Sequence, residues 1–200
     1  MSLELLNTLG TLTTVAIVAA TALAALVQLR HLRAGNQINA MLAIGEELGA
    51  KPFRDATQLV AQKVVAAMGD PAFRDFNIAV DRGHYPAESN PDYIELRSAM
   101  LLIGNAFEEL GILVKRGVVD KDMFLDRYCN VVHRSWKRLE PSTALAREAS
   151  GLSALWENFE YLAVLSEDWM REHPSVYPHG VRRMQLRNPW PIATQGATSV

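Results

Sequence analysis

The longest uncharged stretch lies near the start of the chain and limits its possible folds more than any other feature. No ionisable side chain occurs between Glu4 and Arg30, which leaves 25 uncharged residues at 5–29. As an α-helix this stretch would be about 37 Å long, more than the ~30 Å hydrocarbon core of a bilayer. Its threonines are compatible with lipid, because their hydroxyls can bond to helical carbonyls. The stretch therefore predicts a transmembrane helix.

Two other interpretations of this stretch remain open, a cleaved signal peptide and a buried helix of a soluble protein. Signal peptides normally begin with Lys or Arg, whereas residues 1–9 contain only Glu4. Ala20, Ala22 and Ala24 resemble the small residues of a cleavage site, but the apolar run is longer than a usual signal core. We favour a membrane anchor over both alternatives.

Basic residues on one side of the stretch predict its orientation. Arg30, His31 and Arg33 follow it, and no Lys or Arg precedes it. Because positive flanks stay on the cytoplasmic side, the N-terminus is predicted outside and the rest of the chain in the cytoplasm. Small residues recur every four positions within the stretch, at Ala16 and Ala20 among others, and such spacing permits pairing of two copies.

Composition excludes several partner classes. The formal net charge is −2 with both signs interspersed, so no basic surface recommends nucleic acid as a partner. Cys129 is the only cysteine, which excludes an internal disulfide and a cysteine metal cluster. A single cysteine agrees with a reducing cytoplasm.

Apolar residues recur at helical spacing along the rest of the chain, and this periodicity predicts an all-α protein. The predicted organisation is a transmembrane anchor with its basic flank at 1–33, a bundle of about five helices at 34–173 and a flexible tail at 174–200. The tail is polar and rich in proline, which is typical of segments with little fixed structure.

Capping residues predict where several helices begin. Pro52 and Pro141 suit the first turn of a helix, where the missing N–H would have no partner. Asn90 and Asp120 are favourable N-caps. The final helix is predicted to include the apolar positions of 152–173 and to end by the following proline.

Five segments occur in order along the chain: "QLRHLRAGNQINAMLAIGEEL", "FRDATQLV", "AFEELGILVKRGVVDKDMFLDRY", "WKRLEP" and "WENFEYLA". As an ordered set they resemble one uncharacterised bacterial family, domain of unknown function 4760. The resemblance covers roughly residues 20–173 and implies a short, membrane-anchored helical protein. It implies no activity, cofactor or site residue.

Three glutamates could form an acidic site between helices. Glu108, Glu157 and Glu160 interrupt otherwise apolar helical segments, and the last two can share a helix face. Bundle metal sites combine such acids with a histidine three residues after a glutamate. Here that position is occupied by Glu160 and by Gly111, so we predict no metal or other cofactor.

The same acids could instead make structural ion pairs. We expect Glu108 or Glu160 to pair with Arg127, Arg134 or Arg147 between helices. A pair of this kind is maintained because a buried partner left alone costs about 3–5 kcal/mol.

No nucleotide-binding loop, hydrolase elbow or calcium loop occurs in the sequence, and no catalytic residue is predicted. We therefore expect a non-enzymatic interaction, adaptor or regulatory module at the cytoplasmic face of a bacterial inner membrane. Its partners would be the lipid bilayer and either another protein or a second copy. An enzyme using Glu108, Glu157 and Glu160, or a component of stress or phage defence, remains the alternative.

Overall fold

The computed structural model describes residues 2–190, and this range contains six α-helices and no strand. The helices are, in chain order, α1 (Leu3–Gly49), α2 (Lys51–Gly69), α3 (Pro71–Asp81), α4 (Pro91–Lys115), α5 (Lys121–Ser150) and α6 (Glu157–Glu172). The predicted all-α fold is confirmed.

Helix α1 is continuous and has two different environments along its length. Its large apolar side chains from Leu9 to Leu32 are 48–67% exposed. Further along, Met41 and Ile44 are buried against the other helices. The predicted boundary between anchor and bundle, at residues 33 and 34, thus falls inside one helix. Gly35 does not interrupt it, since both of its sides are helical.

The threonine hydroxyls within the exposed part of α1 are satisfied by the helix itself. Each threonine hydroxyl donates a hydrogen bond of 2.8–2.9 Å to the carbonyl four residues earlier. These threonines are Thr8, Thr11, Thr13, Thr14 and Thr21. No hydroxyl among them requires water, which is the condition for placing such a helix in lipid.

Local side-chain chemistry sets most of the helix starts in the bundle, as predicted. Pro52 lies in the first turn of α2. Asn90 Oδ1 accepts a hydrogen bond from the Asp92 N–H at 2.9 Å at the start of α4. Asp120 Oδ1 accepts one from the Met123 N–H at 2.9 Å at the start of α5. Each acceptor satisfies an N–H that has no partner within its helix.

Asp70 caps α3 and also fastens it to α4. Its carboxylate accepts the Ala72 N–H at 3.0 Å and the Tyr93 hydroxyl at 2.6 Å. The Tyr93 hydrogen bond, assisted by the Ala72 N–H, holds the pKa of Asp70 below its ordinary value. Asp70 therefore stays ionised over a wider acidic range and continues to accept both hydrogen bonds.

The predicted helix start at Pro141 is wrong, because α5 continues through this proline. Leu139 and Thr143, on either side of it, are almost completely buried, so packing holds both halves of the helix. The Ser142 and Thr143 hydroxyls donate to the Leu139 carbonyl at 2.7 and 2.8 Å. These bonds do not replace the backbone bond that Pro141 lacks, because that N–H would have donated to the Lys137 carbonyl; they add contacts in the adjacent turn.

The predicted extent of the last helix is also wrong at its beginning. Residues 151–156 form a turn, and α6 begins only at Glu157. Trp156 adopts φ 55°, a left-handed conformation that no helical residue shares. Helical spacing of the apolar residues continued through this turn and concealed the break.

Aromatic side chains form the centre of the bundle, where α6 packs against both α4 and α5. The Phe107 and Phe159 rings are completely buried and stack with centroids 5.0 Å apart. Trp136 meets Phe159 edge-on at 5.1 Å, and Phe53 meets Phe107 in the same way at 5.8 Å. This cluster joins α2, α4, α5 and α6 into one core.

Candidate functional site

The three predicted acidic residues do not converge on one point. Glu108 faces the start of α6, Glu160 faces α5, and Glu157 is exposed. Glu157 and Glu160 do line one surface groove of about 460 Å³ together with Tyr161 and Val164. Within residues 2–190, no group of three or more His, Cys, Asp or Glu side chains is arranged to hold a metal ion.

The carboxylate of Glu108 caps α6 from a neighbouring helix. Oε2 accepts the backbone N–H groups of Asn158 at 2.9 Å and Phe159 at 3.0 Å, and Oε1 accepts the Asn158 side-chain amide at 2.6 Å. Trp156, the residue before α6, has no side-chain acceptor for these donors. An acid at a helix N-terminus also interacts favourably with the helix dipole. Glu108 is therefore a structural group of the α4–α6 junction.

Two glycines of α4 allow α6 to approach this closely. A Cβ atom at Gly104 would lie 2.2 Å from the Trp156 ring. One at Gly111 would lie 2.3 Å from the carbonyl oxygen of Asn158. Both distances are far inside van der Waals contact, so only glycine fits at either position while the junction keeps its geometry.

Trp156 occupies the centre of the junction despite its unfavourable backbone. The left-handed conformation costs a non-glycine residue about 1–2 kcal/mol. Its side chain is 6% exposed, and the indole N–H donates to Asn105 Oδ1 at 3.0 Å. The packing over Gly104 and this hydrogen bond hold the conformation in place.

Of the predicted ion-pair candidates, the structure brings Arg147 and Glu160 together. Arg147 Nη2 lies 2.7 Å from Glu160 Oε2, and Arg147 Nε donates to the Leu155 carbonyl at 2.9 Å. Arg147 thus connects α5 to the turn before α6 and to α6 itself. Glu160 is 45% exposed, so solvent screens this pair.

The other arginine candidates lie elsewhere. The Arg127 guanidinium lies 5.3 Å from the centroid of the neighbouring Tyr128 ring, on the side of α5 that faces α1. Arg134 is exposed on α5. In the part of the chain that the structure describes, neither forms an ion pair with Glu108 or Glu160.

A second polar cluster, largely buried, was not predicted from the sequence. Arg97 of α4 donates from Nη2 to Asp81 Oδ1 at 2.5 Å and from Nη1 to Asn77 Oδ1 at 2.7 Å. The Arg97 and Asp81 side chains are only 16% and 11% exposed. One feature of the sequence could have indicated this pair. A short loop after Asp81 joins α3 to α4, so the end of α3 must lie near the start of α4.

A small cavity adjoins this cluster. It measures about 90 Å³ and lies between α3, α4, α5 and the turn before α6. Asp81 and Arg97 line one part of it, and Met100, Leu155 and Trp156 line another. Asp81 Oδ2 is buried and has no donor among the described residues. The site can accept a hydrogen bond from a small polar molecule, and its size suits a few waters or a compact fragment.

Cys129 is a poor nucleophile where the structure places it. The side chain is buried in α5, and this burial raises the pKa of its thiol. A raised pKa keeps sulfur in the unreactive thiol form at neutral pH. Its burial agrees with a packing role.

The predicted membrane flank lies on the exposed part of α1. Arg30, His31 and Arg33 are all solvent-exposed and directly follow the apolar stretch. Arg33 reaches toward the turn between α4 and α5, where its Nη2 would be 3.9 Å from a Cβ at Gly117. The basic flank and this turn are therefore neighbours.

Replacing Glu108 tests its capping role. We expect Glu108→Ala to lower the free energy of unfolding by about 1–2 kcal/mol, because three N–H groups at the junction lose their acceptor. Denaturant unfolding of the full chain in non-ionic detergent measures this. Glu109→Ala is the matched control: that side chain is exposed, and its loss should change stability by no more than about 0.5 kcal/mol. Equal effects of the two substitutions would contradict the capping role.

The fold defines a class of protein: an all-α bundle whose first helix is, by length and composition, able to cross a membrane. Within that class the chain belongs to the family described as Domain of unknown function (DUF4760), whose model matches residues 15–169. The resemblance found in the sequence is thereby confirmed. The family description names no activity. Comparisons with curated proteins and with solved structures found no significant match.

Proposed function

We propose that the chain is a single-pass membrane protein whose bundle acts as a non-enzymatic interaction or regulatory module. One observation carries this proposal. Helix α1 exposes its apolar side chains from Leu9 to Leu32 and then, without a break, buries Met41 and Ile44 in the bundle. An apolar surface of this extent is not left exposed to water and must be covered by a partner. Lipid is a suitable partner for an uncharged helix of this length.

The orientation proposed is with the N-terminus outside and the bundle in the cytoplasm. The support is the exposed basic flank of Arg30, His31 and Arg33 on the bundle side of the apolar stretch. The resemblance to a bacterial family recommends the bacterial inner membrane as the location. The basic tail, with Arg182 and Arg183, would then lie on the same side as the anionic inner leaflet.

The polar clusters support a binding role over a catalytic one. Glu108 caps α6, Arg147 joins α5 to α6, and Arg97 joins α4 to α3. Each of these groups is used to hold helices together. Apolar side chains on the outside of α4 offer a surface to a protein partner or second copy, since Ile94, Leu102 and Ile112 are 43–48% exposed.

An enzyme remains the second candidate, because Glu157 and Glu160 share a surface groove with Tyr161. Metal analysis of the purified full chain separates the two functions. Iron, manganese or zinc retained at near-unit stoichiometry would favour the enzyme.

Alkaline carbonate extraction of membranes tests the anchor. We expect the wild-type chain and Ala20→Leu to stay in the membrane pellet. Ala20→Arg should lose stable insertion, because an arginine near the middle of the span costs about 2.5–3.5 kcal/mol. Release of the wild-type chain by carbonate would overturn the proposal. Digestion of the bundle by protease added outside intact spheroplasts would overturn its orientation.

A further inference from the structure

We propose that an anionic phospholipid of the cytoplasmic leaflet binds in a groove between α1 and the α4–α5 turn. This inference rests on the proposed membrane anchoring and adds a specific ligand to it. The groove measures about 560 Å³. Its α1 wall is formed by Leu29, Leu32, Arg33, Asn36 and Gln37, and its other wall by Gly117 and Val118.

The position of the groove along α1 matches the headgroup region of a bilayer. Leu29 is the last residue of the uncharged stretch, and Arg30 is the first charged one. From Leu29 to Gln37 the helix rises about 12 Å. The groove therefore begins at the edge of the hydrocarbon core and extends through the polar layer, which is several Å thick on each side.

The walls of the groove suit the upper part of an acyl chain. Leu29, Leu32 and Val118 are 61%, 64% and 51% exposed, so they form an apolar strip open to the surroundings. Leu32 and Val118 continue the apolar surface of α1 beyond Arg30, the residue that ends the uncharged stretch. An acyl chain lying along them would cover surface that water otherwise meets.

The turn that carries Val118 has a fixed shape. Gly117 adopts φ +67°, a conformation that glycine accepts without strain. The N–H groups of Val118 and Val119 donate to the Leu113 carbonyl at 3.0 and 3.3 Å. Val119 is 1% exposed and anchors the turn in the core, whereas its neighbour Val118 points outward. The apolar tip is thus held in place by the bundle.

Basic residues around the groove give it a preference for anionic lipid. Arg33 lines the groove and approaches Gly117, and Arg116 is exposed immediately before that turn. Among the described residues, neither guanidinium has an ion-pair partner. A guanidinium can donate two parallel hydrogen bonds to one phosphate group, which is the group that every phospholipid presents at this level. An additional negative charge on the headgroup would strengthen the attraction.

The test counts phospholipids that stay bound to the full chain. The protein is reconstituted in nanodiscs of equal phosphatidylcholine and phosphatidylglycerol, released, and analysed by native mass spectrometry. We expect one phosphatidylglycerol per chain on the wild type. The double variant Arg33→Gln with Arg116→Gln should retain it at least about ten-fold more weakly. Val118→Ser should weaken retention of both lipids.

The control removes two exposed arginines that lie outside the groove, in Arg54→Gln with Arg82→Gln. It should retain phosphatidylglycerol as the wild type does. Equal loss in both double variants, or no loss in either, would overturn the groove site. Release of the lipid by inorganic phosphate at millimolar concentration would also overturn it and indicate a site for soluble anions. These failures differ from failure of the anchor, in which carbonate releases the wild-type chain itself.

Discussion

Arg97→Met is expected to lower the free energy of unfolding by about 3–5 kcal/mol, the largest effect of any single substitution considered for this protein. The reason is that the largely buried Asp81 side chain would lose the cation that pairs with it. Both side chains are largely buried, at 16% and 11% exposure, and Asp81 Oδ2 already has no donor in the described part of the chain. Asn77 would also lose the donor to its side-chain oxygen.

Thermal unfolding of the full chain in detergent, followed by tryptophan fluorescence, measures this effect. A loss of this size corresponds to a melting temperature lower by roughly 10 °C for a chain of this length. The double variant Arg97→Met with Asp81→Leu should recover most of the loss, because it removes the unpaired charge together with its partner. A single variant as stable as the wild type would show that water reaches Asp81 in the adjoining cavity.

The second large effect is expected at Gly111, where Gly111→Ala should destabilise the protein by about 2–3 kcal/mol. The added Cβ would meet the backbone of Asn158, at 2.3 Å from its oxygen and 2.7 Å from its carbonyl carbon. Backbone atoms cannot rotate away, so α4 and α6 would have to separate. That movement would also lengthen the Glu108 hydrogen bonds at the start of α6.

A matched control is available at Gly69, near which a Cβ would meet nothing within 4 Å. Gly69→Ala should be neutral or stabilising by up to about 1 kcal/mol.

Gly104→Ala offers a different comparison, because there the obstacle is the Trp156 side chain. Its destabilisation should diminish when Trp156→Ala is combined with it. Trp156→Ala should not change the destabilisation caused by Gly111→Ala, because the obstacle at Gly111 is the backbone of Asn158. If Gly111→Ala left the melting temperature unchanged, the close packing of α4 against α6 would be refuted.

Features that depend on nearby residues could be predicted from the sequence. The caps at Asn90 and Asp120 involve donors two or three residues away, and the structure has both. The apolar periodicity likewise predicted an all-α chain. Each of these signals acts within one helical turn or repeats along one helix.

Features that depend on which helix lies opposite could not be predicted in the same way. The role of Glu108 becomes visible only when the start of α6, 50 residues later in the chain, is placed beside it. The turn at Trp156 was concealed because its apolar side chain continues a helical pattern, although its backbone leaves the helix. The sequence predicts a helix start at Pro141, because proline is disfavoured inside a helix, but buried contacts on both sides of it outweigh that preference.

The 47-residue length of α1 has a mechanical consequence. About 30 Å of this helix lies beyond the first arginine, where it packs beside the bundle. A spanning helix tilts when the bilayer becomes thinner, and a change of tilt of about 20° would swing the far end of such an arm sideways by roughly 10 Å. With α1 inserted as proposed, the thickness of the membrane would set how the bundle is placed relative to the leaflet and which neighbouring proteins it can contact.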